Sequence, residues 1–326
     1  MNAKELLEKY KDIKVAEVVR YNPKTFCDVS SIPKWDIPGK IILGAAVCGA
    51  FIDKRQNPIQ PYTAEEILSE AIECVEAGAT YVHFHVRDEN GGNIGDIESY
   101  KKVIFPLRNK YGMKVMIDGC PVFGKNFEEC SSPLTEDLFE VGIVNPVCTF
   151  VGENVRWLTP QAIVAQCEYF QSLGKKVMVS IHDTASIDNV KRFLIRPGIL
   201  KKPYFFTILP DLPGWGYMPN PMGMCELLLL IINRLKELDN ECQIMVCTSG
   251  RASTYLGTLA ILLGLHVRTG TEDTIWKYPH KDIKIESNIG VFKQMYELCN
   301  LLGREIATAD ECRKILGIKC TCQDLI

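Results

Sequence analysis

In the segment Tyr81-Val82-His83-Phe84-His85-Val86-Arg87-Asp88, two histidines stand one residue apart at the end of an apolar run. On a buried strand alternate side chains share a face and advance about 3.3 Å per residue, which sets His83 and His85 side by side with Cα atoms roughly 6.6 Å apart. Both imidazoles can then reach one metal ion; the alternative is a pair of hydrogen-bonded core histidines. The chain has only five histidines, so two on one strand face is a concentrated use of a scarce ligand.

Further chemically competent residues follow other apolar runs: Asp118, then Ser180, His182 and Asp183, then Arg268, Glu272 and Asp273. Two imidazoles and one carboxylate form a recurring catalytic zinc set that leaves a coordination position open. Iron, manganese or cobalt could occupy the same donors. Adjacent acids point in different directions, so Glu272 and Asp273 divide the work: one binds metal, the other acts as general base or orients water, unless both are a solvated loop pair. Arg268, two residues after His266, either anchors a substrate carboxylate or compensates the two acids.

These residues need elements to position them. Eight apolar, β-branched-rich runs recur, at 40–47, 81–87, 114–120, 142–150, 176–183, 204–211, 243–249 and 265–270. Helical stretches fill the gaps, at 63–78, 96–111, 135–141, 159–173, 187–195, 222–238, 252–263 and 291–302. Thr63 with Glu66 is a capping box that opens the first of them, and Gly78 closes it. Strict alternation implies parallel strands with right-handed crossovers, and eight units close into an α/β fold of the (β/α)8 TIM barrel type. An open doubly wound sheet is the alternative, but no Gly-x-Gly-x-x-Gly follows the first run. In such barrels chemistry gathers at the C-terminal strand ends, where all the residues named above fall. The eighth strand closes against the first, neighbour of the second, which lets an acid at 272 or 273 approach the histidine pair.

Residues 1–39 read as an N-terminal extension packed over the barrel, 40–317 as the catalytic barrel and 318–326 as a tail. Thr308 caps a short last helix that Gly317 stops, and this part either covers the barrel or meets another subunit. With 47% hydrophobic residues, 24% charged and a net charge of −3, the composition carries no basic surplus for nucleic acid. No apolar run reaches the roughly 18 residues of a membrane span. Fourteen cysteines, several in apolar segments (Cys48, Cys120, Cys148, Cys247), with no opening signal peptide, fit a reducing cytoplasm better than a disulfide framework. Cys320-Thr321-Cys322 has ligand-like spacing but no second pair nearby. Gly214-Trp215-Gly216 is either a mobile loop over the barrel mouth or a tight connection, and Ser249-Gly250-Arg251 is a weak phosphate site at a helix start.

Three stretches resemble the beta-keto acid cleavage enzymes: Glu76 through Asp88 with its His-x-His, Gly264-Leu265-His266-Val267-Arg268-Thr269-Gly270-Thr271-Glu272-Asp273, and Gly303-Arg304-Glu305-Ile306-Ala307-Thr308 through Gly317. The resemblance implies a zinc-dependent (β/α)8 barrel that reacts a β-keto acid with acetyl-CoA, giving acetoacetate and a new acyl-CoA. It further implies a homo-oligomer, a tetramer in the family. By position, His83, His85 and Glu272 would hold zinc, Asp273 would be the acid/base and Arg268 would stabilise oxyanions. Asn145 and the pair Ser287-Asn288 also match family positions, and Asn145, Ser180 and His182 are taken as substrate-binding. This chain departs from the family at Phe51, where an acid is usual, and at Asp118, where a serine is usual. Asp118 is counted among the catalytic groups, its charge bearing on a cationic substrate group or on CoA. Competing readings are an amidohydrolase-type metal hydrolase using His182 and Asp273, and a catalytically silent barrel that holds no metal.

Overall fold

A computed structural model of the chain describes residues 1–15, 29–120, 126–134, 138–151, 154–212 and 214–318. The chain divides into two units, Met1–Ile37 and Pro38–Ile326. In the first, the helix Ala3–Tyr10 starts at a reciprocal cap between Asn2 and Glu5 and buries none of its side chains.

The second unit contains a closed barrel of eight parallel strands: β1 (Leu43–Cys48), β2 (Tyr81–Phe84), β3 (Met116–Gly119), β4 (Val141–Val144), β5 (Lys176–Ile181), β6 (Phe205–Ile208), β7 (Gln243–Cys247) and β8 (His266–Thr269). β1 pairs with both β8 and β2, which closes the ring. Each of the eight apolar runs supplies one strand. They read as continuous apolar runs because a parallel barrel buries both strand faces, one against helices and one inside the ring. The helix Ala64–Glu76 is typical of the outer layer, opening at the Thr63–Glu66 capping box and burying Ile67, Ala71 and Cys74.

Inside the ring, side chains two residues apart sort by height. Tyr81, Met116, Val141, Met178, Phe205 and Met245 form an apolar floor together with Ile42. One pleat nearer the C-terminal ends, β2, β3, β5, β6 and β7 carry His83, Asp118, Ser180, Thr207 and Cys247, and β8 carries Arg268, all buried. The floor is covered from below by the helix Ala309–Leu316 through Ala309, Cys312 and Leu316. A short parallel pairing of Glu305–Ile306 with Lys40–Ile41 leads the chain there. Of the two roles open to this part from sequence, it covers the barrel.

Three expected boundaries are corrected. The run 81–87 is not one strand: β2 ends at Phe84, and Val86–Arg87 turns off to pair antiparallel with Asn93–Ile94. The run 142–150 breaks after Val144, because Pro146 offers no N–H, and Cys148–Val151 pairs with Asn154–Trp157 as a hairpin. The helix expected at 135–141 is displaced: Val141 already belongs to β4, and the helical turn is Phe127–Ser131, capped by Asn126 and followed by a tighter turn at Ser132–Leu134. Residues 135–137 and the Cys320–Cys322 pair lie outside the described residues. Among the described residues no helix is long and apolar enough to cross a membrane.

Candidate active site

His83 sits within β2, and His85 follows just beyond its end, where the His85 N–H donates to the Cys48 carbonyl at 2.8 Å. The two rings lie 5.1 Å apart at 73°. Glu272 arrives from the loop after β8. His83 Nε2 is 2.7 Å from Glu272 Oε2 and His85 Nε2 is 3.6 Å from Glu272 Oε1. One donor atom from each residue lies within 4.8 Å of the others, and all three residues are buried.

The approach of Glu272 depends on backbone that only glycine can supply. Gly270 has φ +152°, and a Cβ there would collide with the Ala46 carbonyl of β1. Beyond it, Glu272 N–H donates to that carbonyl at 3.1 Å, and Thr271 Oγ1 donates to the Val47 carbonyl at 2.8 Å. Asn288, first residue of the helix Asn288–Leu301 that Ser287 caps, accepts from Thr271 N–H at 2.7 Å and donates to the Val47 carbonyl at 3.1 Å. Asn288 thereby clamps the carboxylate-bearing loop to β1.

Asp118 accepts from His83 Nδ1 and from the Tyr81 hydroxyl, the latter at 2.6 Å. With its proton on Nδ1, His83 turns the Nε2 lone pair toward Glu272 Oε2. Among the described residues these two buried atoms face each other with no hydrogen bond to a further partner. Two electron-pair donors held this close fit a shared cation, and a carboxylate behind a ligating imidazole is the usual support for one. The same acids also favour a proton as the shared cation. Burial works against a charged His83, yet Asp118 and Glu272 lift it to about 9, while burial lowers His85. Burial also opposes an ionised Glu272, but Arg268 and His83 outweigh it and hold that carboxyl well below the usual range.

Arg268, inside the ring on β8, donates to Asp273 through Nε (3.1 Å) and an Nη (2.6 Å) and to Glu272 at 3.2 Å. Gly44 on β1 leaves room for the Tyr81 ring, which a Cβ there would approach to 3.2 Å, while Arg268 Cγ would stay at an ordinary 3.5 Å. Asp273 is fully buried, and burial together with the neighbouring Glu272 charge raises it to about 6 against the pull of Arg268.

These groups border a small cavity of about 30 Å³ at the barrel mouth, whose wall includes His83, His85, Glu272, Arg268, Asn145, Ser180 and His182. Asp118 and Asp273 are absent from that wall. Each stands behind a residue that is on it, Asp118 behind His83 and Asp273 behind Arg268. Asp183 caps the helix Thr184–Val190 and binds Ser186 instead of facing the cavity. The hydrolase constellation is not assembled: His182 stacks on Trp215 with centroids 4.1 Å apart, and the described metal-competent cluster contains neither it nor Asp273. At Ser249-Gly250-Arg251, the Ala252 N–H is already taken by Asp211 and Arg251 pairs with Asp282, so the expected phosphate position is filled by the protein's own acids.

Trp215 is the residue that sequence reading understated. It is 2% exposed and lines the cavity, edge-on to Phe51 at 5.3 Å. The glycines beside it, Gly214 (φ +89°) and Gly216 (φ +52°), form a tight turn, and a Cβ on Gly214 would collide with the Phe150 carbonyl. Of the two readings of Gly214-Trp215-Gly216, the structure has the tight connection. Thr207 and Leu209, two residues apart at the end of β6, also line the wall and could have been found by extending the alternation of that strand.

A family model described as beta-keto acid cleavage enzyme matches residues 40–318. The chain is 31% identical over 282 residues to a 3-keto-5-aminohexanoate cleavage enzyme of Fusobacterium nucleatum, covering 86% of this chain and 98% of that one. It is 29% identical over 289 residues to the enzyme of the same name from Acetoanaerobium sticklandii, with the same coverage of 86% and 98%. A 3-oxoadipate:acetyl-CoA acetyltransferase of Cupriavidus necator is 26% identical over 289 residues, 85% of this chain and 94% of that one. Among solved structures, a binary complex of ObcA with oxaloacetate superposes with a TM-score of 0.66 at 17% identity, covering 80% of this chain and 68% of that one, a likeness of fold.

Proposed function

Because this chain belongs to the beta-keto acid cleavage enzyme family, we propose that it transfers an acyl group between a β-keto acid and acetyl-CoA, releasing acetoacetate and a new acyl-CoA. His83, His85 and Glu272 would hold a divalent metal, zinc being the natural occupant of two imidazoles and a carboxylate. When bound, such an ion supplies Lewis-acid polarisation of the keto acid's carbonyl. The reading is carried by one observation: these three donors and Arg268, with Asp273 bound behind it, meet at one cavity at the C-terminal mouth of the barrel.

The remaining chemistry falls to the chain's own side chains. Asp273, raised to about 6, is the base for the carbon between the two carbonyl groups, and it reaches that proton when Arg268, behind which it is buried, swings aside toward the substrate. The carbon nucleophile attacks the thioester carbonyl of acetyl-CoA and expels CoA thiolate. The thiolate then adds to the original ketone; the adjacent carbon–carbon bond breaks, giving the new acyl-CoA, and the departing carbon regains a proton as acetoacetate. Arg268 stabilises the oxyanions of both additions, and its guanidinium stays charged throughout because Asp273 and Glu272 outweigh its burial. Asn145, Ser180 and His182 orient the keto acid from the opposite wall. Asp118 acts through His83 as a positioning residue.

The test is metal analysis of the purified chain together with an assay of β-keto acids with and without acetyl-CoA, with identification of the acyl-CoA formed. One metal per chain and CoA-dependent acetoacetate are expected, and both are lost in His83→Ala. Metal retained and turnover unchanged in that variant would reject the assignment.

A further inference from the structure

The cavity wall divides by chemistry. Asn145, Ser180, Thr207 and His182 form a polar part opposite the metal-competent cluster, while Ala50, Phe51, Leu209 and Trp215 form an apolar part. The apolar part is a built surface: Leu209 and Trp215 belong to one buried cluster with Phe51 packed against it, and Trp215 is fixed between the His182 face and the Phe51 edge.

Among the described wall residues, the carboxylate and the guanidinium are those of Glu272 and Arg268. Both are committed. Glu272 faces the two histidines and Arg268, and Arg268 binds Glu272 and Asp273. Among the described wall residues no acid is left to pair an ammonium group, and no lysine or arginine is left to pair a second carboxylate. The Trp215 indole N–H is buried and has no acceptor among the described residues. As a donor it can meet a neutral oxygen but repels an ammonium, which is also a donor.

Building on the keto-acid reading above, we propose that the substituent on the substrate's ketone is uncharged and mainly apolar, and that it packs on Phe51, Leu209 and Trp215. A charged end placed there would be desolvated with no opposite charge among the described wall residues to offset the cost, which disfavours binding by about 100-fold or more.

The experiment uses the metal-loaded full chain and three β-keto acids of equal length, ending in an alkyl, an aminoalkyl or a carboxyalkyl group. Calorimetric titration without acetyl-CoA measures binding, and an assay with acetyl-CoA measures turnover. The alkyl compound is expected to bind at least about 100-fold more tightly than either charged one. Equal or tighter binding of a charged compound, or failure of the alkyl compound to bind, would overturn the inference. Alkyl-selective binding without CoA-dependent turnover of any of the three would leave this inference standing and remove the transferase reading. Phe51→Glu places an acid on the wall at a partly exposed position, and is expected to move the aminoalkyl-to-alkyl binding ratio upward by about 10-fold or more. Should that variant fail to fold, the wild-type ranking decides alone.

Discussion

At His83 the two ring nitrogens have different tasks. Nδ1 is held by Asp118, which leaves Nε2 facing Glu272 for a metal ion or a proton. Removing the support should loosen the ligand without removing it: Asp118→Ala is expected to weaken metal binding 10- to 100-fold, on the order known for such supports. Competition with a chromogenic chelator measures this, and an unchanged affinity would refute the role given to Asp118. His266 shows the opposite use of a buried imidazole. Its Nδ1 accepts from Ile42 N–H at 3.1 Å and its Nε2 faces the Gln243 side-chain oxygen at 3.1 Å, a neutral ring held on both sides. Burial, with Arg304 nearby, lowers it to about 3. Between that value and the unfolded pKa of about 6.5, protons bind the unfolded chain preferentially, so the contribution of His266 is full above about 6.5 and is lost as pH falls toward 3. The slope is up to about 1.4 kcal/mol per pH unit. Urea unfolding at pH 7.5 and 5.5 should show a shallower acid loss in His266→Gln than in the wild type; parallel losses would count against it.

At the scale of the element, the loop from Gly270 to Glu272 carries the site. Its geometry is set by the helix that follows, because Asn288 bridges Thr271 to Val47 of β1. Asn288→Ala would leave the buried Thr271 N–H without an acceptor, a loss of about 1–3 kcal/mol. Metal affinity should fall with it, since Glu272 follows Thr271 directly. Thermal or urea unfolding combined with chelator competition checks both halves, and a destabilised variant with intact metal affinity would mean that the clamp serves only the fold. Gly270→Ala should be more severe, since it combines an unfavourable φ with a collision against β1.

For the molecule as a whole, the two ends of the barrel have opposite characters. The C-terminal mouth holds a cavity lined by charged and polar groups beside an apolar patch, and the N-terminal end is filled by six strand side chains and covered by the helix Ala309–Leu316. Arg304 ties that cover in place by donating to the Ile261 carbonyl at 3.0 Å and to the Lys40 carbonyl at 3.0 Å. Ending the chain after Ala307 should therefore expose the apolar floor, producing binding of a hydrophobic dye and aggregation. Leu316→Asp, which puts a charge into the same cluster, should cost about 3–5 kcal/mol by urea unfolding. An undisturbed melting curve in the substitution would show that the cover does not stabilise the barrel.

The amino-acid sequence by itself determined the repeating alternation, the eight strands, their order round the ring and the caps at Thr63 and Thr308. These are written in periodicities and terminal residues spanning a few positions each, and they hold wherever the segment ends up. His-x-His at the end of the second run was legible for the same reason. Boundaries failed where a single residue overruled a pattern, as Pro146 did after β4. What the tertiary structure alone decided is which distant groups meet. Closing β8 on β1 brings Glu272 to the histidines, puts Asp273 behind Arg268, and sets Asp118 beneath His83 instead of on the cavity wall. Trp215, an ordinary aromatic between two glycines in the sequence, becomes a wall of the site for the same reason. Such contacts depend on the closed ring and its packing, and no local pattern encodes them.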